Sequence, residues 1–152
     1  MDILFIKDES QSTKEIKIIY GEESDEVRKL KILAEELNKE NSKLEVYMDN
    51  STYYIDVRSI MFFETDDSRI VAHTKDDMFL VDYKLYELEE LLPSIFVRIA
   101  KSSIVNVKHI YSIEKNLSSS SRIEFADSHK TVYVSRRYYK VLKNKIDEMR
   151  NR

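Results

Sequence analysis

From Leu44 onward the apolar residues of this chain recur with a period of two, and they keep that period, with one interruption, as far as Ser135. The segments 44–48 (LEVYM), 52–57 (TYYIDV), 59–64 (SIMFFE), 69–74 (RIVAHT), 78–82 (MFLVD), 96–100 (FVRIA), 109–115 (HIYSIEK), 122–126 (RIEFA) and 131–135 (TVYVS) are short and rich in β-branched and aromatic residues. Polar turns such as Asp49-Asn50, 65–68 (TDDS) and Lys75-Asp76-Asp77 separate them, and Ser118 to Ser121 forms a longer loop. Alternation over so few residues, repeated so often, suits short antiparallel strands and little else. The interruption is a helix from Tyr83 to about Leu92, buried through Leu85, Leu88, Leu91 and Leu92 and stopped by Pro93. A last helix is expected from about Arg136 to Met149, with Tyr138, Val141, Leu142, Ile146 and Met149 on one face. Residues 44–152 are therefore expected to be mainly β, a core of short antiparallel sheets with two helices.

Residues 1–43 read as a small α/β extension of β-β-helix form. Two strands, 2–6 and 14–20, precede a helix that Ser24 caps and that runs to about Asn41. Val27, Leu30, Ala34, Leu37, Asn41 and Leu44 are spaced 3, 4, 3, 4 and 3 apart. That spacing suits a coiled-coil seam with Asn41 as its polar residue. The seam is short, so packing on the two N-terminal strands is the preferred expectation. The extension is the candidate for dimerisation or partner binding.

Composition removes several function classes. A single Gly excludes the glycine-rich phosphate loops of nucleotide enzymes. With no Cys there are no disulfides, thiolate metal sites or cysteine nucleophiles. His73, His109 and His129 are scattered, and no paired carboxylates or Ser/His/Asp set stands out. No enzyme, cofactor or metal is expected. The chain carries no apolar run near the ~20 residues that span a bilayer and no signal-peptide pattern, so the expected location is cytoplasmic.

The net charge of -3 conceals an asymmetry. Residues 1–45 carry 8 basic and 12 acidic residues, residues 46–93 carry 4 and 11, and residues 94–152 carry 13 and 5. A mildly acidic protein thus has a strongly basic C-terminal third, which points to a polyanionic partner or to a solvated basic helix face. Two stretches in that third break the rules of a stable fold. Arg136 and Arg137 follow the N-cap candidate Ser135, where the helix dipole disfavours cations by about 0.3–1 kcal/mol each. An anion bound by the free N–H groups and both guanidinium groups would make sense of them; solvation or pairing with acids is the alternative. The segment 97–106 (VRIAKSSIVN) places Arg98, Lys101, Ser102 and Ser103 between two parts that want to be buried. These are phosphate- and base-contacting groups of DNA-binding loops, or else a polar turn whose serines bond their own backbone. Ser68-Arg69, after Asp66-Asp67, is a third exposed turn with donors.

Taken together, 59–74 (SIMFFETDDSRIVAHT), 83–93 (YKLYELEELLP), 96–114 (FVRIAKSSIVNVKHIYSIE) and 132–142 (VYVSRRYYKVL) resemble the LytTR family of bacterial DNA-binding domains, over about residues 44–148. The chain looks like the small stand-alone members that lack a receiver domain and carry a short N-terminal α/β extension. The resemblance implies an elongated core of three small antiparallel sheets that places loops into successive major grooves of DNA. It implies base reading by Arg69, Lys101 and Arg137. Phosphate or secondary contacts would come from Ser68, Arg98, Ser102, Ser103, Arg122, Ser135 and Arg136, although Arg98 could equally brace its loop through an internal salt bridge. The function implied is a sequence-specific double-stranded DNA-binding transcriptional regulator, acting as a homodimer on repeated sites. For some stand-alone members it also implies a small membrane-protein partner. No RNA is expected, because the tyrosines fit core or rim positions. The alternative is a protein-interaction module whose basic third binds an acidic partner.

Overall fold

The computed structural model describes residues 9–10 and 16–151. Helix α1 (Asp25–Glu40) leads into the hairpin β1 (Lys43–Met48) and β2 (Ser51–Asp56), then β3 (Phe62–Asp66), β4 (Arg69–His73) and β5 (Met78–Val81). Helix α2 (Leu85–Leu91) precedes β6 (Phe96–Ala100) and β7 (Ser103–Asn106). The chain ends with β8 (Ile110–Glu114), β9 (Ser121–Phe125), β10 (Thr131–Val134) and α3 (Arg136–Arg150). All pairings are antiparallel. The strands form a seven-stranded sheet in the order β2-β1-β5-β4-β3-β7-β6 and a three-stranded sheet in the order β10-β9-β8. The three small sheets expected from the resemblance are thus two among the described residues, because single pairs such as Tyr47↔Leu80 join the first hairpin to the rest.

The apolar run Ile60-Met61-Phe62-Phe63 is explained by a sheet that is covered on both faces at β3 and β7. Successive side chains point to opposite faces. Phe63 and Ile104 go to one core with Leu44, Val46, Ala72, Phe79 and the α2 residues Leu85 and Leu88. Phe62 and Val105 go to a second core with Ile99, Ile123, Phe125, Val132, Val134 and the α3 residue Leu142. Each such fully buried side chain contributes about 1.5–3 kcal/mol. The second core is the joint between the two sheets.

The segment expected as a strand over 59–64 begins later, at Phe62. Val57–Ser59 is a 3-10 turn opened by Asp56, whose carboxylate accepts from the Arg58 N–H at 2.9 Å. Val107–His109 repeats the device, with Asn106 accepting from Lys108 N–H at 3.1 Å. His109 Nε2 donates to the Arg58 carbonyl at 2.7 Å and ties the two turns together.

The N-terminal extension departs most from expectation. The expected strand 2–6 lies outside the described residues, and residues 16–20 carry no strand. Ser24 does cap α1, accepting from Val27 N–H at 3.3 Å. Of the seam residues only Val27 and Leu44 are buried. Leu37 is 47% exposed, and neighbouring Ile32 and Leu33 are 63% and 56% exposed, so this face has not packed on strands among the described residues.

Candidate nucleic-acid interface

Three cation-bearing segments emerge at the same end of the two sheets. The β3–β4 turn reverses in two residues, Asp67 and Ser68, between the paired Asp66 and Arg69. Both central residues have positive φ, 44° and 68°. A turn of this hand matches the twist of the flanking strands but favours Gly or Asn. Holding a Ser there costs about 1–2 kcal/mol, and strain of this kind gathers at functional sites. The turn presents Ser68 and Arg69 to solvent.

The second segment is the β6–β7 turn with Lys101 and Ser102, both exposed. Ile99, Ile104 and Val105 anchor it in the core. Arg98 grips it from inside: Nε donates to the Ala100 carbonyl at 2.7 Å, Nη2 to the Lys101 carbonyl, and Nη1 pairs with Glu89 of α2 at 3.2 Å. The turn is therefore stiff, and Arg98 spends its donors on the protein. Asn106, at the other end of β7, is buried and donates from Nδ2 to the Ile60 carbonyl at 3.0 Å.

The third segment is the start of α3. Ser135 is half-buried and makes no side-chain cap bond, and the first turn holds no acid. Arg136 and Arg137 are exposed. The uncapped N–H groups, the positive helix end and two guanidinium groups thus lie together, which favours an anion.

Backbone hydrogen bonds fix these segments to one another. Thr65 N–H donates to the Ser102 carbonyl at 2.8 Å, joining the first to the second. Ser135 N–H donates to the Ile99 carbonyl at 2.8 Å, joining the second to the third. Arg69, Lys101, Arg136 and Arg137 form no ion pair among the described residues, whereas Arg58, Arg98 and Arg122 do. A cleft of about 790 Å³ opens between the first two segments and the α2 segment, lined by Ser68, Arg69, Arg98 and Lys101 on one side and Tyr83, Lys84 and Tyr86 on the other. The sequence assigned that segment only a packing role; a lysine at a helix start carries no linear signal of what it faces.

Two residues expected at this surface are otherwise engaged. Ser103 is 4% exposed, because the strand has already turned inward at that position. Arg122 lies in β9 between Glu114 and Glu124, and both pair with it. Its charge is neutralised locally. Among the described residues no group of His, Asp or Glu could hold a metal ion, and no helix is long and apolar enough to cross a membrane. The helices are never consecutive: five strands separate α2 from α3. A helix-turn-helix is therefore absent among the described residues.

Comparison with known proteins agrees with this geometry. The family model described as "LytTr DNA-binding domain" matches residues 50–147. A Staphylococcus aureus (strain NCTC 8325 / PS 47) protein named as an uncharacterized HTH-type transcriptional regulator is 35% identical over 100 residues, covering 66% of this chain and 67% of the relative. A protein of the same description from the bovine strain RF122 / ET3-1 is 37% identical over 103 residues, with the same coverage. The solved LytTr DNA-binding domain of a Bacillus cereus protein superposes with a TM-score of 0.64 at 24% identity, over 69% of this chain and 96% of that one. The match over most of the strand-rich part of the chain, on a fold with the same arrangement, places the protein in the LytTR family of DNA-binding domains.

Proposed function

We propose that this protein is a sequence-specific double-stranded DNA-binding transcriptional regulator that reads major grooves through loops. The observation that carries the reading is the set of four cations without ion pairs among the described residues, Arg69, Lys101, Arg136 and Arg137, on segments held to each other by two backbone hydrogen bonds. Cations without counter-ions on a rigid edge suit a phosphate-lined surface, because their partner arrives with the ligand. Arg69, Lys101 and Arg137 are assigned to base edges. Ser68, Ser102, Ser135 and Arg136 are assigned to phosphates. Arg98 is reassigned from contact to brace, and Ser103 and Arg122 to the scaffold. We also assign residues 1–43 to dimerisation, on the strength of the exposed Ile32, Leu33 and Leu37 of α1. A dimer would span repeated sites.

The test is a fluorescence-anisotropy titration with a duplex selected from a random-sequence pool, against random duplex, for wild type and the Lys101→Ala/Arg137→Ala double mutant. Six to ten phosphate contacts would lower affinity about 10³–10⁵-fold between 50 and 200 mM salt. Selective, salt-steep binding that the double mutant loses is the expected result. Weak binding that ignores sequence and mutation would refute the reading and leave the basic third to an acidic protein.

A further inference from the structure

The two halves of the reading surface belong to different sheets. Arg69 and Lys101 leave the seven-stranded sheet, while Arg137 follows β10 of the three-stranded sheet. Their spacing depends on how α3 packs against β6 and on how one sheet sits on the other. At the reading end the sheets are tied by Ser135 N–H to the Ile99 carbonyl. The shared apolar core and the His109–Arg58 bond also oppose relative motion of the sheets, but the core contacts are not directional.

The opposite end holds a further, directional tie. Lys130, in the turn between β9 and β10, reaches across to the β4–β5 turn, where its Nζ donates to the Thr74 carbonyl at 2.9 Å and the Asp77 carbonyl at 2.7 Å. Both turns are pre-formed for this. The Lys130 N–H is held by Ser128 Oγ at 3.2 Å. Across the gap, Thr74 N–H donates to the Asp77 carbonyl at 3.0 Å, and Asp77 N–H to Thr74 Oγ1 at 3.1 Å. Beside them an aromatic column crosses the same joint: the His73 ring stacks on Phe62 at 4.2 Å, and Phe62 on Phe125 at 5.2 Å. Stacked faces resist separation but permit sliding. An ammonium with two fixed carbonyl acceptors resists sliding, because each hydrogen bond is directional.

We propose that Lys130 is a positioning residue for DNA recognition: by stapling the far ends of the two sheets, it fixes the distance between the Arg69/Lys101 teeth and Arg137. It touches no DNA in this arrangement, since it lies at the end of the strands remote from all three segments. The inference rests on the proposed function and specifies what keeps the surface in register.

The test uses the full chain as Lys130→Met and Lys130→Arg, titrated against the selected duplex, random duplex, and a selected duplex with one base pair inserted between the two halves of the site. Lys130→Met is expected to lower the ratio of selected to random affinity about tenfold, the equivalent of about 1.4 kcal/mol. The loss falls on the selected duplex; random-duplex affinity and its salt slope stay unchanged, and the penalty for the inserted base pair shrinks. Lys130→Arg, which can still reach both carbonyls, restores the ratio and the penalty. Circular dichroism verifies that both variants fold; if Lys130→Met does not, Lys130→Gln takes its place. An unchanged ratio with only a lower melting temperature would overturn the proposal and leave Lys130 as an ordinary stabilising contact. A drop in salt slope would overturn it by making Lys130 a phosphate contact. Failure of the wild type to select any duplex would instead sink the DNA-reading function, and this inference with it.

Discussion

Arg98→Met separates bracing from contact at the proposed reading surface. The substitution keeps an unbranched side chain of similar reach and removes three donors: those to the Ala100 and Lys101 carbonyls and the one to Glu89. The Ser102 end of the turn stays fixed, because Thr65 N–H still holds the Ser102 carbonyl at 2.8 Å. Lys101 is then the residue set free. Ordering one backbone costs about 1–2 kcal/mol, and binding must now supply it. Affinity for a selected duplex should fall about 5- to 30-fold. Random duplex, which needs no defined Lys101 geometry, should be affected little. Salt dependence decides the issue. A lost phosphate contact lowers the slope of log affinity against log salt by about 0.9, whereas a lost brace leaves it unchanged. Anisotropy titrations at four salt concentrations would measure both quantities. A slope reduced by about one, with selected and random duplex weakened alike, would refute the brace and return Arg98 to the phosphates. Glu89→Gln should give a smaller effect of the same kind, since the pair is partly exposed and the two carbonyl bonds survive.

Asn106→Leu should destabilise the fold by about 2–4 kcal/mol, because the fully buried side chain leaves the Ile60 carbonyl and the Lys108 N–H without partners; urea unfolding with an unchanged m-value checks it, and a loss below about 1 kcal/mol would contradict it. Burial holds the His73 imidazole below its ordinary value of 6.5, outweighing the Glu64 carboxylate beside it. The unfolded chain then binds a proton more readily than the folded one, so stability is full above about pH 6.5 and falls as pH drops through the lowered value. His73→Gln should flatten that part of the stability–pH curve, and an identical curve would contradict the assignment. Leu33→Glu/Leu37→Glu should convert a dimer to monomer in sedimentation velocity without changing the melting temperature of the strand-rich domain, because neither side chain is buried. A wild-type monomer at every concentration and on DNA would remove the dimer.

What was readable from the sequence followed from local chemistry. The two-residue period named the strands; β6 falls on 96–100 as expected, and α3 starts at Arg136 as expected. The misplaced cations at Arg136 and Arg137 and the Lys-Ser-Ser insertion marked the candidate surface because each violates a rule that acts over a few residues. The extension was read less well. Its apolar spacing was seen, but what packs against an apolar face is a question of tertiary partners, and the face stayed largely exposed.

Only the folded arrangement separated cations that look alike in one dimension. Arg98, Arg122 and Arg137 have the same side chain in the same basic third. Register placed Arg122 between two carboxylates, the β6–β7 turn brought two carbonyls onto Arg98, and a helix start left Arg137 open to solvent. Charge is a property of the residue, and the sequence determines it. Whether that charge is already neutralised depends on which groups lie within about 4 Å, and across strands those groups come from pairings that are distant along the chain. Lys130 shows the same division: its acceptors lie more than fifty residues away, and the junction of two sheets alone brings them within reach.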